Sequence, residues 1–217
     1  MTADYTDLQL LHELEPVVET LVDRHMSMRK DWNPHDYIPW KEGKNYYALG
    51  GQDWDPDQAK LSEVAQTAMV QNLLTEDNLP SYHREIAMNM GMDGAWGYWV
   101  NRWTAEENRH GIALRDYLVV TREVDPSANE DVRVEHVMKG YRADKYSQIE
   151  TLVFMAFFER AHAVFTRNLQ AQIDEPVLAA MAGRIARDEE RHEEFFANLV
   201  SHLLQTHRDE TIAAIAA

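Results

Sequence analysis

The sequence predicts an all-α chain built on a long four-helix bundle with extra helices. Apolar residues recur at helical spacing along most of its 217 residues, and alternating strand patterns are nearly absent. Four of the helical patterns run to about thirty residues each, the length of a large bundle. The first helix is expected over 6–28. A Trp-, Tyr-, Pro- and Gly-rich segment follows, RKDWNPHDYIPWKEGKNYYALGGQDWDP. The long helices are expected over 58–90, 94–122, 145–172 and 175–206, with a shorter one near 128–140. Asp57 and Asp174 suit N-caps, Pro176 suits a first helical turn, and Pro80 should kink the helix that carries it. One domain is expected over 1–217. It comprises an N-terminal helix and loop (1–57), a four-helix core (58–206) and a C-terminal extension (207–217) that has no cap signal and reads as truncated.

Composition removes several classes of function. There is no cysteine, which excludes disulfides, thiolate zinc sites, iron–sulfur clusters and cysteine nucleophiles. The net charge of −16 argues against non-specific binding to nucleic acid or to an anionic membrane. No signal peptide opens the chain, and its densest apolar run, LVFMAFF, is too short to span a bilayer. A soluble, cytoplasmic protein is expected. Gly91, Gly94 and Gly97 do not form a dinucleotide fingerprint, so electrons for any redox chemistry should come from a separate protein.

The stretch RDEERHEEFF poses the functional question, because a run of charge is ordinarily a solvated helix face. Glu-x-x-His places two ligands on one helical face, and both Glu189–His192 and Glu107–His110 have that spacing. With ten histidines, chance supplies about one such pair, so the faces decide. Glu189 shares its stripe with Ala182, Ile185, Ala186 and Phe196, and Glu107 shares its own with Val100, Trp103 and Leu114. Glu76 follows Met69 and Leu73, and Glu159 follows Leu152, Met155 and Ala156. A carboxylate on an apolar face needs a counter-charge, either a metal or a buried Arg or Lys, and these stripes show no evident cation. Glu76 precedes Glu107 by 31 residues and Glu159 precedes Glu189 by 30, so the chain reads as two similar helix pairs. That arrangement is the pattern of ferritin-like di-iron and di-manganese carboxylate proteins. The expected fold is therefore a ferritin-like four-helix bundle core with a di-metal carboxylate site inside.

At WNPHDYIPW, TEDNLPSYHREI, RWTAEENRHG, FMAFFERA and RDEERHE the sequence resembles the soluble acyl-[acyl-carrier-protein] desaturases, particularly their actinobacterial branch. These phrases cover most of 6–200 in the family's order. The resemblance implies two Fe2+ ions, with manganese as another occupant of the isolated protein, held by Glu76, Glu107, His110, Glu159, Glu189 and His192. It also implies a homodimer, ferredoxin as electron donor, and a fatty acyl chain presented on acyl carrier protein. By the same resemblance Trp32 and Asp188 lie on an electron route to His110, Asp188 orienting the imidazole.

Carrier docking on an acidic surface needs local positive charge, for which Arg24, Lys30, Arg187 and Arg191 are the candidates. Met69, Trp96, Trp99, Trp103, Phe154, Phe157 and Phe158 are candidates to line an acyl tunnel. The sequence departs from the plant-type pattern at His162, which stands in place of a threonine and forms a third Glu-x-x-His with Glu159. His162 is therefore a candidate modulator of oxygen chemistry. Glu190 replaces a lysine, and the chain stops at TIAAIAA. These departures keep open a catalytically impaired desaturase-like protein that binds acyl carrier protein or a partner, and a ferroxidase, which would share the ligands but lack the tryptophan-rich loop, is the other alternative. A radical-generating reductase subunit fits less well, because no tyrosine falls clearly on a ligand face.

Overall fold

The computed structural model describes residues 7–142 and 146–217, and among them it contains eight α-helices, four short 3-10 turns and no strand. The helices are α1 (Asp7–Met28), α2 (Glu63–Asp77), α3 (Leu79–Met90), α4 (Gly94–Val120), α5 (Pro126–Lys139), α6 (Gln148–Ala171), α7 (Pro176–Thr206) and α8 (Arg208–Ala216). The rods α2–α3, α4, α6 and α7 form the bundle, α1 packs across α4 and α7, and α8 folds back on α6 and α7. None of these helices is long and apolar enough to cross a membrane.

Local chemistry explains where the helix limits differ from expectation. Asp57 does not cap a long helix; it lies in a 3-10 turn capped by Asp55. The backbone N–H groups of Lys60 and Leu61 both donate to the buried Glu123 carboxylate, at 3.0 Å each. That anchor delays the helix until Ser62, whose hydroxyl accepts from Ala65 N–H. The kink expected at Pro80 is a full break at Asn78, leaving Pro80 in the first turn of α3, where no N–H is needed. Ser147 and Glu150 form a capping box at α6, while the expected start at residue 145 lies outside the described residues. Glu175, not Asp174, caps α7 through Val177 N–H at 2.9 Å and Leu178 N–H at 2.6 Å, with Pro176 in the first turn as expected. The 207–217 extension is mostly helical, and its Thr211 is fully buried.

Packing divides the interior into two apolar clusters. One contains Leu14, Val18, Trp99, Trp103, Leu152, Phe196 and Leu199. The other contains Trp32, Met69, Leu73, Leu114, Leu118, Met181 and Ile185. On every bundle rod the predicted ligands fall between the stretches that feed these clusters. Gly111 lets α2 approach α4 at this level, since a Cβ there would lie 3.3 Å from Cβ of Glu76.

Arg122 holds the Trp-rich loop onto the end of α4. It adopts a left-handed φ of 61° and is 4% exposed. Its guanidinium donates to the carbonyls of Asn45 (3.0 Å), Gln52 (2.9 Å) and Asp53 (3.2 Å) and lies 4.1 Å over the Tyr46 ring. Arg122→Ala would leave these carbonyls without a donor, at an expected cost of about 3 kcal/mol. The fall in Tm should be roughly 6–12 °C, with faster proteolysis between 44 and 58, measurable by thermal denaturation and limited digestion. A Tm within a degree or so of the parent would show that the loop is held by other contacts.

Candidate metal centre

The four ligand-bearing rods turn six acids and imidazoles toward one another. Glu76, Glu107, His110 and Glu189 each bring a donor atom within 4.8 Å of the others, and Glu107, Glu159, Glu189 and His192 do the same. The two groups share Glu107 and Glu189. Glu189 divides its oxygens between them: Oε1 lies 3.0 Å from His110 Nδ1, and Oε2 lies 3.5 Å from His192 Nδ1. His110 Nδ1 is 3.5 Å from Glu76 Oε1, and His192 Nδ1 is 2.7 Å from Glu107 Oε1. All six side chains are buried.

These groups have the chemistry of a two-cation site. Both oxygens of Glu76 and of Glu189, one oxygen each of Glu107 and Glu159, and Nδ1 of both histidines are buried without a hydrogen-bond partner. Such atoms are costly inside a protein unless something ligates them. Among the described residues, the ion-pair partners of these four carboxylates are all histidines, not the Arg or Lys that a purely structural pairing would use. Carboxylate oxygens with imidazole nitrogens suit divalent iron or manganese.

Two outer carboxylates stand behind the imidazoles. Asp188 Oδ2 lies 3.5 Å from His110 Nε2 and accepts from Trp32 Nε1 at 2.6 Å, while the Trp32 and His110 rings stack with centroids 6.1 Å apart. The predicted trio is thus brought together. Arg109, Arg184 and Arg191 donate to Asp188 at 3.2, 3.1 and 2.9 Å, and Arg109 also lies 5.0 Å over the Trp32 ring. On the other side Glu106 Oε2 lies 2.9 Å from His192 Nε2 and 3.0 Å from His25 Nε2, and Arg102 pairs with its other oxygen. Neither Glu106 nor His25 belongs to the Glu-x-x-His spacing. The signal was present, because EENRH and DEERH both read acid-Glu-x-Arg-His. Trp103 Nε1 donates to Glu159 Oε1 at 2.8 Å, so this tryptophan steadies a predicted ligand.

The electrostatics follow from burial. Burial, then the Glu107 charge, pushes the Glu76 carboxyl up to about 8. Burial raises Glu159 to about 8 as well, against the pull of the nearby His192. Burial alone would favour neutral His110 and His192, but the surrounding carboxylates raise both well above the usual imidazole value. Burial would likewise raise Glu106, yet hydrogen bonds from His192 and His25 hold it well below the usual carboxylate range.

The remaining predicted residues separate. His162 is buried beside the first group, with Nδ1 3.4 Å from Glu189 Oε1 and Nε2 3.5 Å from Glu76 Oε1. Lys30 and Arg187 are exposed near the Asp188 end, where Arg184 donates to the Lys30 carbonyl. Arg191 is engaged by Asp188 and Arg24 by Glu194, which leaves less free charge than four docking cations would supply. Glu190 forms a two-pronged pair with Arg167 on α6, at 2.7 and 2.8 Å.

The expected tunnel lining needs correction. Trp96, Trp99, Trp103 and Met69 are close-packed core, and Phe157 is 58% exposed because it lies on the outer face of α6. Phe154 and Phe158 line a small aromatic pocket with Tyr82 and Tyr141, whose free volume is ≈ 10 Å³. A wider cleft of ≈ 620 Å³ lies among α2, α3, α4 and α5, with Glu76 and Gly111 in its wall.

Comparison with known proteins shows what the chain is similar to. The family model described as fatty acid desaturase matches residues 6–217. Mycobacterium tuberculosis DesA1 and DesA2, both named provisionally as acyl-[acyl-carrier-protein] desaturases, are each 61% identical, over 207 and 205 residues. These alignments cover 92% and 94% of this chain, and 61% of DesA1 and 74% of DesA2. A chloroplastic acyl-[acyl-carrier-protein] desaturase 6 of Oryza sativa subsp. japonica is 31% identical over 230 residues, covering 96% of this chain and 54% of its own. The chain thus spans about three-fifths of DesA1 and about half of the rice relative. An X-ray structure of M. tuberculosis DesA2 superposes with a TM-score of 0.79 at 55% identity, covering 95% of this chain and 75% of that one.

Two outcomes test the centre. Glu76 and Glu159 each serve one group, so their alanine variants should each retain about one Mn2+ of two. Glu107→Ala and Glu189→Ala should lose most of both, by metal analysis after anaerobic loading. Equal losses across the four would contradict the shared-carboxylate geometry.

The second outcome is pH dependence in the metal-free protein. Carboxyls raised in the fold bind more protons folded than unfolded, and the raised histidines act in the same sense at higher pH. Stability should therefore be fullest in mild acid, and Tm should fall from about pH 6 to about pH 8.5. Mn2+ displaces those protons, so its stabilising shift should grow over the same interval. A metal-free Tm that rises with pH across that window would contradict the buried-proton picture.

Proposed function

Because the chain belongs to the fatty acid desaturase family, we propose that it introduces a cis double bond into a saturated fatty acyl chain carried on acyl carrier protein, using dioxygen and electrons from ferredoxin. The observation that carries this reading is the pair of Glu/His groups sharing Glu107 and Glu189 in the bundle interior. Glu76, Glu107, His110, Glu159, Glu189 and His192 would hold two Fe2+ ions. When bound, the irons supply the redox chemistry by which dioxygen takes one hydrogen from each of two adjacent methylenes. Two further electrons and two protons complete the reduction of dioxygen to two waters.

The chain's own residues then have distinct tasks. Asp188 orients His110, and the stacked Trp32 ring gives electrons an aromatic step from the surface toward that imidazole. Glu106 orients His192 on the opposite side. The apolar clusters above and below exclude water from the carboxylates. Lys30 and Arg187, with Arg191 and Arg24 beside them, form the carrier-docking candidate at the Asp188 end. A cytoplasmic homodimer is the proposed working form.

His162, facing Glu189 from inside the site, favours a second reading in which the protein binds acyl carrier protein but turns over poorly. The two are separated by incubating the iron-loaded protein with saturated acyl carrier proteins, ferredoxin, its reductase and oxygen. Mass spectrometry should show loss of two hydrogens from the acyl chain. Acyl-carrier binding without that loss, in folded and iron-loaded protein, would favour the second reading. In Trp32→Phe, metal content should hold while reduction of the oxidised centre by ferredoxin slows. An unchanged rate would remove Trp32 from the electron route.

A further inference from the structure

His162 stands outside the two four-residue groups, yet one of its ring nitrogens has nowhere else to go. The residue is 6% exposed and lies one turn after Glu159 on α6. Its Nε2 is 2.5 Å from Oδ1 of Asn72, which is itself 1% exposed. The Asn72 amide is oriented by its own Nδ2 donating to Thr166 Oγ1 at 3.4 Å, which turns the carbonyl oxygen toward the imidazole. A neutral imidazole that donates from Nε2 keeps its lone pair on Nδ1.

That Nδ1 is buried, has no hydrogen-bond partner, and lies 3.4 Å from Glu189 Oε1. His110 Nδ1 approaches the same oxygen at 3.0 Å. Two donors each about 2.0–2.2 Å from one metal ion stand about 3.0–3.5 Å apart, so each imidazole is at ligand spacing from Glu189 Oε1. Resting on the di-metal reading above, we propose that His162 is a seventh ligand. It would act through Nδ1 on the ion held by Glu76, Glu107, His110 and Glu189, with Asn72 fixing its tautomer. The site is then unequal. One ion has two nitrogen donors, and the other, held by Glu107, Glu159, Glu189 and His192, has one. Imidazole favours borderline transition metals over Mg2+ or Ca2+, so the first position should fill first and discriminate more sharply.

The test uses Mn2+ alone, with stepwise affinities from calorimetry and 14N couplings from pulsed electron paramagnetic resonance. The parent should bind in two unequal steps with three histidine nitrogens coupled. His162→Thr should lose one nitrogen and weaken one step by about 100-fold or more, while the other step holds. Asn72→Leu, which cannot accept the Nε2 proton, should weaken the same step by about 10–100-fold, and Asn72→Asp, which accepts only, should keep it. Unchanged couplings and affinities in His162→Thr overturn the proposal. If circular dichroism shows that His162→Thr does not fold, the Asn72 pair decides: weakening in Leu with retention in Asp supports it, and parental affinity in both overturns it. A parent protein that takes up no Mn2+ would overturn the di-metal reading and this inference together. Normal two-metal uptake that does not need His162 would overturn this inference alone.

Discussion

Carboxylates from four different helices converge where water is excluded, and much of the architecture serves that convergence. Such groups cannot all ionise in a low-dielectric interior without compensating charge, and in the metal-free state burial pushes Glu76 and Glu159 toward their protonated forms while the surrounding carboxylates raise His110 and His192. Two divalent cations would replace those protons. Repulsion among the acids then becomes attraction to common ions, and Glu107 and Glu189 are the two residues placed to serve both. The layered interior follows from the same constraint. Apolar clusters on either side of the ligand level supply burial that the polar layer cannot, and Gly111 brings α2 close enough for Glu76 to reach its partners.

The outer shell repeats with the same two-fold logic as the ligands. In each acid-Glu-x-Arg-His stretch the second acid is the predicted ligand and the first, one residue earlier, points about 100° away around its helix. It therefore reaches across to the imidazole of the other helix. Asp188 on α7 faces His110 of α4, and Glu106 on α4 faces His192 of α7. Each pair locks α4 to α7 at ligand level and fixes which ring nitrogen turns inward. The two arginines of these stretches, Arg109 and Arg191, both go to Asp188, and this is where the symmetry ends.

This division explains what the sequence could and could not reveal. Helical periodicity and the near-equal 31- and 30-residue intervals made the bundle and its six inward-facing acids and imidazoles legible, because both depend on local spacing around one helix axis. Helix starts were harder to read. The anchor of Lys60 and Leu61 on Glu123 and the choice of Glu175 over Asp174 depend on residues distant in sequence. Asn72 was illegible for the same reason: a lone Asn on an apolar helix face acquires meaning only when α6 places His162 against it. Phe157 was misread because a Phe within an apolar run gives no sign of which side its neighbouring helices leave open.

The unequal outer shells give the centre a direction. Behind Glu106 stand Arg102, paired with its other oxygen, and His25, packed edge-on to Trp99 at 5.1 Å, with Trp99 stacked on Phe195 at 3.6 Å. Behind Asp188 stand Trp32 and three arginines, and from there the backbone of Lys30 and the exposed Arg187 are immediate neighbours. A charge arriving at the Asp188 end meets fixed cations and an aromatic ring stacked on His110. At the Glu106 end Arg102 is already paired with the carboxylate, and Trp99 meets the His192 ring edge-on instead of stacking on it. On the proposed reading, a donor protein would act through the first end. The second would then serve to hold His192 rigid while the centre changes its charge.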